Sequence, residues 1–427
     1  MSTTSVARPH SSPLIPRNLT QQRTTARLLA GLCAATLCVG LAFADDNDHK
    51  SGAVRLLKTI PIPNVAMRAF DISWVDATSQ RYYLADRSNA AVDVIDAKNG
   101  TFITQITGGF AGAVLNAGGT ANNDVSGPNG VVSSGRWLFV TDAPSRVVTI
   151  DLTTNAVVSD VRTDPSEPTR ADELAYDPAG GVLLVVNNAA SPPFATLIKV
   201  NKATGALTVG ARVTFDAAHG VDATNGAEQP VWNKSTGRFY MSVPQVGPDA
   251  TNGAVARIDP GTGAVDALFP VKFCQPAGLT LGPKQDLLLG CSVIFDTAGG
   301  AWSATDPNTA APISVVMDAS NGSIDRMVTG VSGSDEVWFN SGDGRYYLAA
   351  RAQPGGPVLG VIDADSKTLV QVVPTINTAG LLHVFPSGSS HSVAVNSRNN
   401  HAFVPLPANN VFPFCLNGCV GVFGTDD

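Results

Sequence analysis

Seven polar residues along this chain stand directly in front of short apolar segments. Each segment is followed by a Gly-, Ser- or Asp-rich turn and a second apolar segment, and the copies recur at spacings of 44 to 61 residues. Seven such copies predict a single closed ring of seven blades, because a blade cannot bury both of its faces alone. The seven polar residues are Asp71, Asn129, Glu173, Gln229, Gln275, Glu336 and His391.

In such a ring, the residues that open the innermost strands meet at one mouth of a central channel. Their carboxylate and amide oxygens suit a hard cation such as Ca²⁺, which takes six to eight oxygen ligands. The same oxygens also suit a small polar ligand. A third interpretation gives the polar lining no role beyond solvation of the channel. The pattern therefore predicts a polar pocket on the axis and leaves its occupant open.

Further polar residues stand at the ends of the second apolar segments. Asp142 and Asn188 are the first candidates there for ligand contact, followed by Arg351. Asp and Asn at strand ends also form ordinary turns. For Arg351 the alternative is a salt bridge with Glu336.

His391 is the histidine that falls in the predicted ring, so it is the candidate general base near Glu336 or Asp71. In a metal-assisted hydrolase of the lactone type, Glu173, Asn129 and Glu336 would hold the cation. The cation would polarise a carbonyl and lower the pKa of a bound water, and His391 would move the proton. The leading interpretation is a binding or interaction module with a small polar ligand or divalent cation in its channel; the hydrolase is the alternative.

Four strands per copy position these residues. A third segment such as 92–96 leads through the turn Ala97-Lys98-Asn99-Gly100 into an outer segment, 102–106. The last copy ends after its third segment, and 54–60 supplies the missing outer strand. The sequence therefore predicts an all-β, seven-bladed β-propeller over 54–427, closed by an N-terminal strand that completes the last blade.

The first 44 residues read as a signal peptide. Arg17, Arg23 and Arg27 precede an apolar stretch over 28–43, and Ala42-Phe43-Ala44 fits a cleavage site. An uncleaved signal anchor is the alternative. With residues 1–44 removed and 45–53 as a polar linker, the mature chain is expected in the periplasm or outside the cell, with no membrane attachment.

Four cysteines remain after the leader. Cys274 and Cys291 flank the turn Gly282-Pro283-Lys284-Gln285, and their midpoint falls in that turn, which predicts a directly opposed pair and a disulfide. Cys415 and Cys419 enclose a glycine-containing loop that a second disulfide can close. A metal–thiolate site is the alternative, but no second Cys or His cluster lies near in sequence.

The net charge of −7 and a pI near 5.3 argue against a nucleic-acid partner, which requires a basic surface. The expected partner is a small molecule or a protein of unknown identity, and the expected state is a monomer. No Cys-x-x-Cys-His, Gly-x-Ser-x-Gly, Walker or His-Glu-x-x-His motif occurs. The chain therefore lacks the attachment motif for c-type haem.

Two stretches, 82–96 (YYLADRSNAAVDVID) and 138–151 (LFVTDAPSRVVTID), resemble the YVTN-type β-propeller repeats of exported bacterial proteins. The segment Gly127-Pro128-Asn129-Gly130-Val131 also looks like the gluconolactonase and senescence-marker family of calcium-dependent propellers. The first likeness implies the fold, and the second implies a calcium in the tunnel. Asn129 is the residue here that sits in a matching position of that second family.

Overall fold

The computed structural model describes residues 52–303, 310–375 and 390–425. The predicted signal peptide and nearly all of the linker lie outside these ranges. The described chain forms 28 strands, each of its seven sheets being four-stranded and antiparallel. In these ranges no helix is long and apolar enough to cross a bilayer. Three single-turn 3₁₀ helices occupy Asn123–Val125, Ala217–His219 and Pro283–Gln285.

The sheets follow one another along the chain as blades 1 to 7, and six of them are built from consecutive strands. Blade 1 contains β2 (Ser73–Asp76), β3 (Arg81–Asp86), β4 (Ala91–Asp96) and β5 (Thr101–Ile106). Blade 2 contains β6 (Val131–Ser134), β7 (Trp137–Asp142), β8 (Arg146–Asp151) and β9 (Ala156–Arg162). Blade 3 contains β10 (Leu174–Asp177), β11 (Val182–Asn187), β12 (Phe194–Val200) and β13 (Leu207–Thr214). Blade 4 contains β14 (Pro230–Asn233), β15 (Arg238–Val243), β16 (Asn252–Ile258) and β17 (Val265–Lys272). Blade 5 contains β18 (Cys274–Leu281), β19 (Asp286–Ile294), β20 (Ile313–Asp318) and β21 (Ile324–Thr329). Blade 6 contains β22 (Val337–Asn340), β23 (Arg345–Ala350), β24 (Val358–Asp363) and β25 (Thr368–Pro374).

Blade 7 combines the two ends of the chain. It contains β26 (Ala394–Asn396), β27 (His401–Leu406) and β28 (Cys419–Gly424), with β1 (Arg55–Pro61) as its outer strand. The innermost strands β2, β6, β10, β14, β18, β22 and β26 contact one another in a closed cycle. The predicted seven-bladed propeller and its closure by an N-terminal strand are therefore confirmed.

The closing strand is held on both sides. β1 pairs antiparallel with β28, from Arg55 opposite Gly424 to Pro61 opposite Cys419. Just before it, the backbone of Val54 exchanges two hydrogen bonds with the Gln371 side chain of blade 6, at 2.9 and 2.8 Å. These contacts leave β28 without an open edge.

Short polar side chains set the hairpin turns. Asp76 Oδ1 accepts the backbone N–H of Thr78 at 2.8 Å and thereby folds the turn after β2. An Asp or Asn at the corresponding position makes the same bond in four further blades: Asp177, Asn233, Asn340 and Asn396. The recurrence explains why the copies align so clearly in the sequence.

Apolar side chains fill the space between neighbouring blades. Leu184 and Val186 of blade 3 pack with Phe239 and Met241 of blade 4, and all four are fully buried. Burial of each such side chain contributes about 1.5 to 3 kcal/mol. The blade interfaces thus form the core and fix the direction of the innermost strands.

Both predicted disulfides are present. Cys274 and Cys291 are joined across blade 5 with a Cα–Cα distance of 5.1 Å, and Cys415 and Cys419 with one of 4.9 Å. The predicted register of the first pair is wrong. Two irregularities in the β18–β19 ladder place Cys291 opposite Pro276 and Cys274 opposite Ile294, so the disulfide crosses a bulge.

Candidate functional site

The backbone ladder defines two polar rings at one end of the channel. In blade 1, the N–H of Asp71 bonds to the carbonyl of Ala85, and the N–H of Ala85 returns to the carbonyl of Ile72. Equivalent bonds in blades 2, 3, 4 and 6, and the strand registers of blades 5 and 7, identify the residues at these two positions. We call the first set the mouth ring: Asp71, Asn129, Asp172, Glu228, Ala277, Asp335 and His391. The next residues form the second ring: Ile72, Gly130, Glu173, Gln229, Gly278, Glu336 and Ser392.

The predicted ring of seven residues therefore mixes two levels. Asp71, Asn129 and His391 lie in the mouth ring, whereas Glu173, Gln229 and Glu336 lie in the second ring. The reason is that blades 3, 4 and 6 carry two consecutive polar residues before their apolar strand. The ladder hydrogen bonds, which the sequence does not display, decide which residue is at the mouth.

Gln275 belongs to neither ring. The bulge in β18 moves it two positions ahead of the ring residue, Ala277. Its side chain bonds to Asn225 at 3.2 Å and to the carbonyl of Ala250 at 3.0 Å. Gln275 therefore fastens the loops of blade 4.

Of the three residues predicted at the ends of the second strands, two line the mouth cavity and one does not. Asn188 and Arg351 line the mouth cavity. The carboxylate of Asp142 accepts the N–H of Ala111 at 3.1 Å and Nη1 of Arg146 at 2.9 Å, and therefore anchors the insert between blades 1 and 2. Burial raises the pKa of Asp142.

Arg87 binds the mouth ring from within blade 1. Its buried guanidinium donates to Asp71, to Asn129 Oδ1 at 2.8 and 2.9 Å, and to Asn123 Oδ1 at 3.0 Å. Burial opposes ionisation of Asp71, but the charge of Arg87 and the hydrogen bond from His391 outweigh it and hold the pKa of Asp71 well below its usual range. The oxygen of Asn129 is thus engaged by Arg87.

Two further arginines pair with mouth-ring carboxylates. Arg170 Nη2 donates to Asp172 at 2.7 Å, and Arg351 Nη2 lies 3.1 Å from Asp335. The predicted alternative partner of Arg351 is its neighbour, Glu336. Arg170 Nε and Nη1 are buried and have no hydrogen-bond partner in the described part of the chain. Burial raises the pKa of Asp172 to about 6, although Arg170 acts in the opposite direction.

Glu228 differs from the other three carboxylates of the mouth ring, since it has no ion pair with any described residue. Its contacts are two long hydrogen bonds from Asn188 Nδ2, at 3.4 and 3.5 Å. The other side-chain atom of that amide, Asn188 Oδ1, is buried and unpartnered. Desolvation and the charges of Asp172 and Asp335 raise the pKa of Glu228 to about 8.

Two carboxyl groups lie deeper, in the second ring. Gln229 Nε2 donates to Glu336 Oε2 at 3.3 Å, while Gln229 Oε1 accepts the N–H of Leu279 at 2.7 Å. Burial and mutual repulsion raise the pKa of Glu173, and burial with the charge of Asp335 raises that of Glu336. Neither group has a salt bridge with a described residue. Both are therefore protonated more readily than ordinary glutamates.

His391 is held between blades 1 and 7. Its Nε2 lies 3.1 Å from Asp71 Oδ1, and its ring stacks on Phe70 with the centroids 4.8 Å apart. The carbonyl of His391 accepts the N–H of Glu336 at 3.1 Å. His391 therefore contacts Asp71, one of the two carboxylates expected beside it; its catalytic role stays a prediction.

These groups surround a cavity of about 100 Å³ at the mouth. Six carboxyl groups and three arginines occupy the two rings and their immediate neighbours, and the raised pKa values of Glu173, Glu228 and Glu336 reduce the excess of negative charge. In the described ranges, no three His, Cys, Asp or Glu side chains are placed to hold a metal ion. The calcium site expected from Glu173, Asn129 and Glu336 stays a prediction.

Sequence reasoning missed three carboxylates of the mouth ring, Asp172, Glu228 and Asp335. A signal for them exists. When the copies are aligned on the first strand residue, an acidic residue falls two positions earlier in blades 1, 3, 4 and 6. Asn123 and Arg170 could not have been found this way, because they reach the mouth from loops.

Among solved structures, the chain is similar to Kuenenia stuttgartiensis hydrazine synthase, with a TM-score of 0.61 and 11% sequence identity over 85% of this chain and 97% of that one. At this identity the likeness shows the fold. No family model matches the chain. No curated protein matches it either. The YVTN-type and gluconolactonase resemblances therefore stay predictions, and the seven-bladed β-propeller is what the sequence, structure and comparison share.

Proposed function

We propose that the mouth of the channel binds a small ligand that carries a positive charge, in the form of a protonated amine. Glu228 is the observation that supports this most directly. Asp71, Asp172 and Asp335 of the same ring each pair with an arginine, whereas Glu228 faces the cavity with no ion pair among the described residues and feels the charge of Arg170 from beyond ion-pair distance. Its raised pKa of about 8 keeps Glu228 mainly protonated at neutral pH, and a cation that arrives with the ligand would stabilise the ionised carboxylate.

An ammonium group suits these surroundings better than a metal ion does. It needs one carboxylate and at least one neutral acceptor, and Glu228 and Asn188 Oδ1 supply these. A metal ion would draw several acidic or histidine ligands together, and no such group occurs in the described ranges. Calcium is therefore the alternative ligand to be tested beside the amine.

The cavity limits the size of the ligand. Its volume of about 100 Å³ equals that of roughly three water molecules. Methylammonium and ethanolamine are of suitable size. A further group on the ligand that accepts hydrogen bonds would meet the unpartnered N–H groups of Arg170.

The proposal places this binding module outside the cytoplasm. Two disulfides support an oxidising compartment, which agrees with the export signal read over 1–44. We propose that the mature chain works in the periplasm or beyond as a monomer. Mass spectrometry of the exported protein tests cleavage after Ala44.

The test is thermal unfolding in methylammonium chloride, with sodium chloride at the same ionic strength as reference. A ligand that binds the folded state raises the melting temperature by mass action, so we expect a rise of several °C. Glu228→Gln should abolish it, because the amide carries no charge. Glu167→Gln, in a loop outside the mouth and bonded to Thr169, is the matched control.

The outcomes separate the alternatives. An unchanged melting temperature in the native chain, or an equal rise in Glu228→Gln, would refute the amine site. A rise in calcium chloride that EDTA reverses would favour the calcium site instead. Calcium-dependent turnover of a lactone would favour the hydrolase.

A further inference from the structure

A second cavity lies at the end of the channel opposite the mouth. It has a volume of about 370 Å³ and is formed where β2, β6 and β10 end, between blades 1, 2 and 3. Two aromatic rings line it, Trp74 from blade 1 and Tyr176 from blade 3, and both are half-buried. This cavity shares no lining residue with the mouth.

Both rings are held in place by their neighbours. Trp74 meets the edge of Trp338 with the centroids 5.2 Å apart, and its Nε1 donates to Ser133 at 3.1 Å. Tyr176 packs on Phe139 at 5.1 Å. A ligand that stacks on these rings would therefore meet surfaces that are already ordered, which lowers the entropic cost of binding.

The polar groups of this cavity are mainly uncharged. Thr78, Ser79, Ser133 and Ser134 bring hydroxyl groups to its wall, and each hydroxyl both donates and accepts hydrogen bonds. The carboxylate of Asp76 is engaged by the backbone N–H groups of Thr78 and Ser79, at 2.8 and 3.2 Å. Hydroxyl groups of this kind suit a neutral ligand with hydroxyls of its own.

A third cavity, of about 350 Å³, continues outward between blades 1 and 2. It shares Ser79 and Gly135 with the aromatic cavity, so the two lie side by side, and we call the pair the furrow. Its walls include Tyr83 and Arg136, and the Arg136 guanidinium is itself paired with Asp151. A furrow of two adjacent cavities fits an extended chain of repeating units better than a single small molecule.

From these features we propose that the furrow binds a neutral carbohydrate chain. The C–H face of a sugar ring packs on an aromatic face, while its hydroxyl groups pair with serine and threonine hydroxyls. A peptide, whose termini and side chains carry charge, finds fewer partners here. This site is independent of the amine site at the mouth.

The test is titration of the folded chain with cellohexaose, chitohexaose and maltohexaose, followed by tryptophan fluorescence and by saturation-transfer NMR. At least one of these glycans should change the fluorescence and saturate. Trp74→Ala should weaken that binding about tenfold or more, in line with the loss of one stacking contact of 1.4 kcal/mol or more. Trp232→Ala is the matched control, since Trp232 is half-buried against Phe239 in blade 4 and lies outside the furrow.

A second variant guards against misfolding of Trp74→Ala. Ser134→Arg, at the rim of the furrow, fills the cavity from outside the core and should abolish binding while the circular dichroism stays native. Glu228→Gln should bind the glycan as the native chain does. The proposal is overturned if none of the three glycans binds, if both furrow variants bind normally, or if the furrow takes an uncharged peptide in preference to every glycan.

Discussion

The two ends of the channel are built from the same seven strands and have opposite chemistry. At the mouth, the residues that precede each innermost strand are mainly charged, and arginines compensate three of the four ring carboxylates. At the other end, β2 and β22 bring Trp74 and Trp338 together. In a propeller, therefore, residues only two or three positions apart along one innermost strand can belong to two different kinds of site.

The two ends also differ in how strongly protonation of their side chains is coupled to folding. Carboxylates at the mouth are buried against each other, so their protonation couples to folding. At the aromatic end, the backbone N–H groups of Thr78 and Ser79 bond to Asp76 Oδ1, and the link to the mouth is weaker: burial raises the pKa of Glu336, and Trp338 acts in the opposite direction. Mutations at the two ends should consequently differ in their response to pH.

The largest effect is expected from Arg87→Ala at the mouth. Removal of the guanidinium leaves Asp71 buried without its main counter-charge, and losses of this kind cost about 3 to 5 kcal/mol. Arg81→Ala, in a partly exposed pair with Asp96, should cost less than about 1 kcal/mol. Chemical denaturation of both variants measures the contrast. Equal losses would show that the mouth network contributes no more than a surface ion pair.

At the aromatic end, Trp338→Ala should lower the free energy of unfolding by about 2 to 3 kcal/mol, less than for a fully buried tryptophan because Trp338 is half-buried. Burial raises the pKa of Glu336 and Trp338 acts in the opposite direction, so the loss should grow as the pH rises. Denaturation curves at several pH values check this. A loss that stays the same at every pH would show that Trp338 has no effect on the ionisation of Glu336.

The pH dependence of stability should reside in the mouth. The folded-state pKa of Glu228, about 8, exceeds its ordinary value of 4.5, so the folded state holds this proton more tightly. Its contribution is complete below pH 4.5 and is lost as the pH rises through about 8. The slope for one proton is at most about 1.4 kcal/mol per pH unit.

Glu228→Gln should therefore flatten the decline in stability over this window. Glu167→Gln should leave the decline unchanged. Urea unfolding at intervals across the window measures both. An identical slope in Glu228→Gln and the native chain would mean that Glu228 is ionised normally in the folded state.

The smallest effect is expected from Arg351→Gln. The side chain of Arg351 is 47% exposed in its pair with Asp335, and exposed pairs contribute about 0 to 1 kcal/mol. Thermal unfolding should shift by a few °C at most. A loss comparable to that of Arg87→Ala would show that the exposed Arg351–Asp335 pair stabilises the fold as much as the buried Arg87–Asp71 pair does.

Much of the fold was accessible from the sequence, because each copy repeats the same period-two strands and the same Asp or Asn turn. The closing strand was accessible too, since the last copy visibly lacks one. The sequence did not show to which of the two rings each polar residue belongs. Asp172 and Glu173 are adjacent and both polar, and only the ladder bond from Asp172 N–H to the Val186 carbonyl places the first at the mouth.

The contacts of the site were less accessible still. Gln275 was misplaced by the irregularities of the β18–β19 ladder on either side of Pro276. Arg170 and Asn123 enter the mouth from connecting segments that have no repeat to align them. Tertiary geometry, rather than local pattern, brings these groups to the channel.

The most direct measurement is a crystal structure with thallium, which replaces ammonium and gives an anomalous signal. The account predicts an anomalous peak at the mouth, within contact distance of the Glu228 carboxylate and Asn188 Oδ1, and its absence in crystals of Glu228→Gln. A map with peaks only on the outer surface, and none beside Glu228, would contradict the claim that the mouth is a cation-binding site.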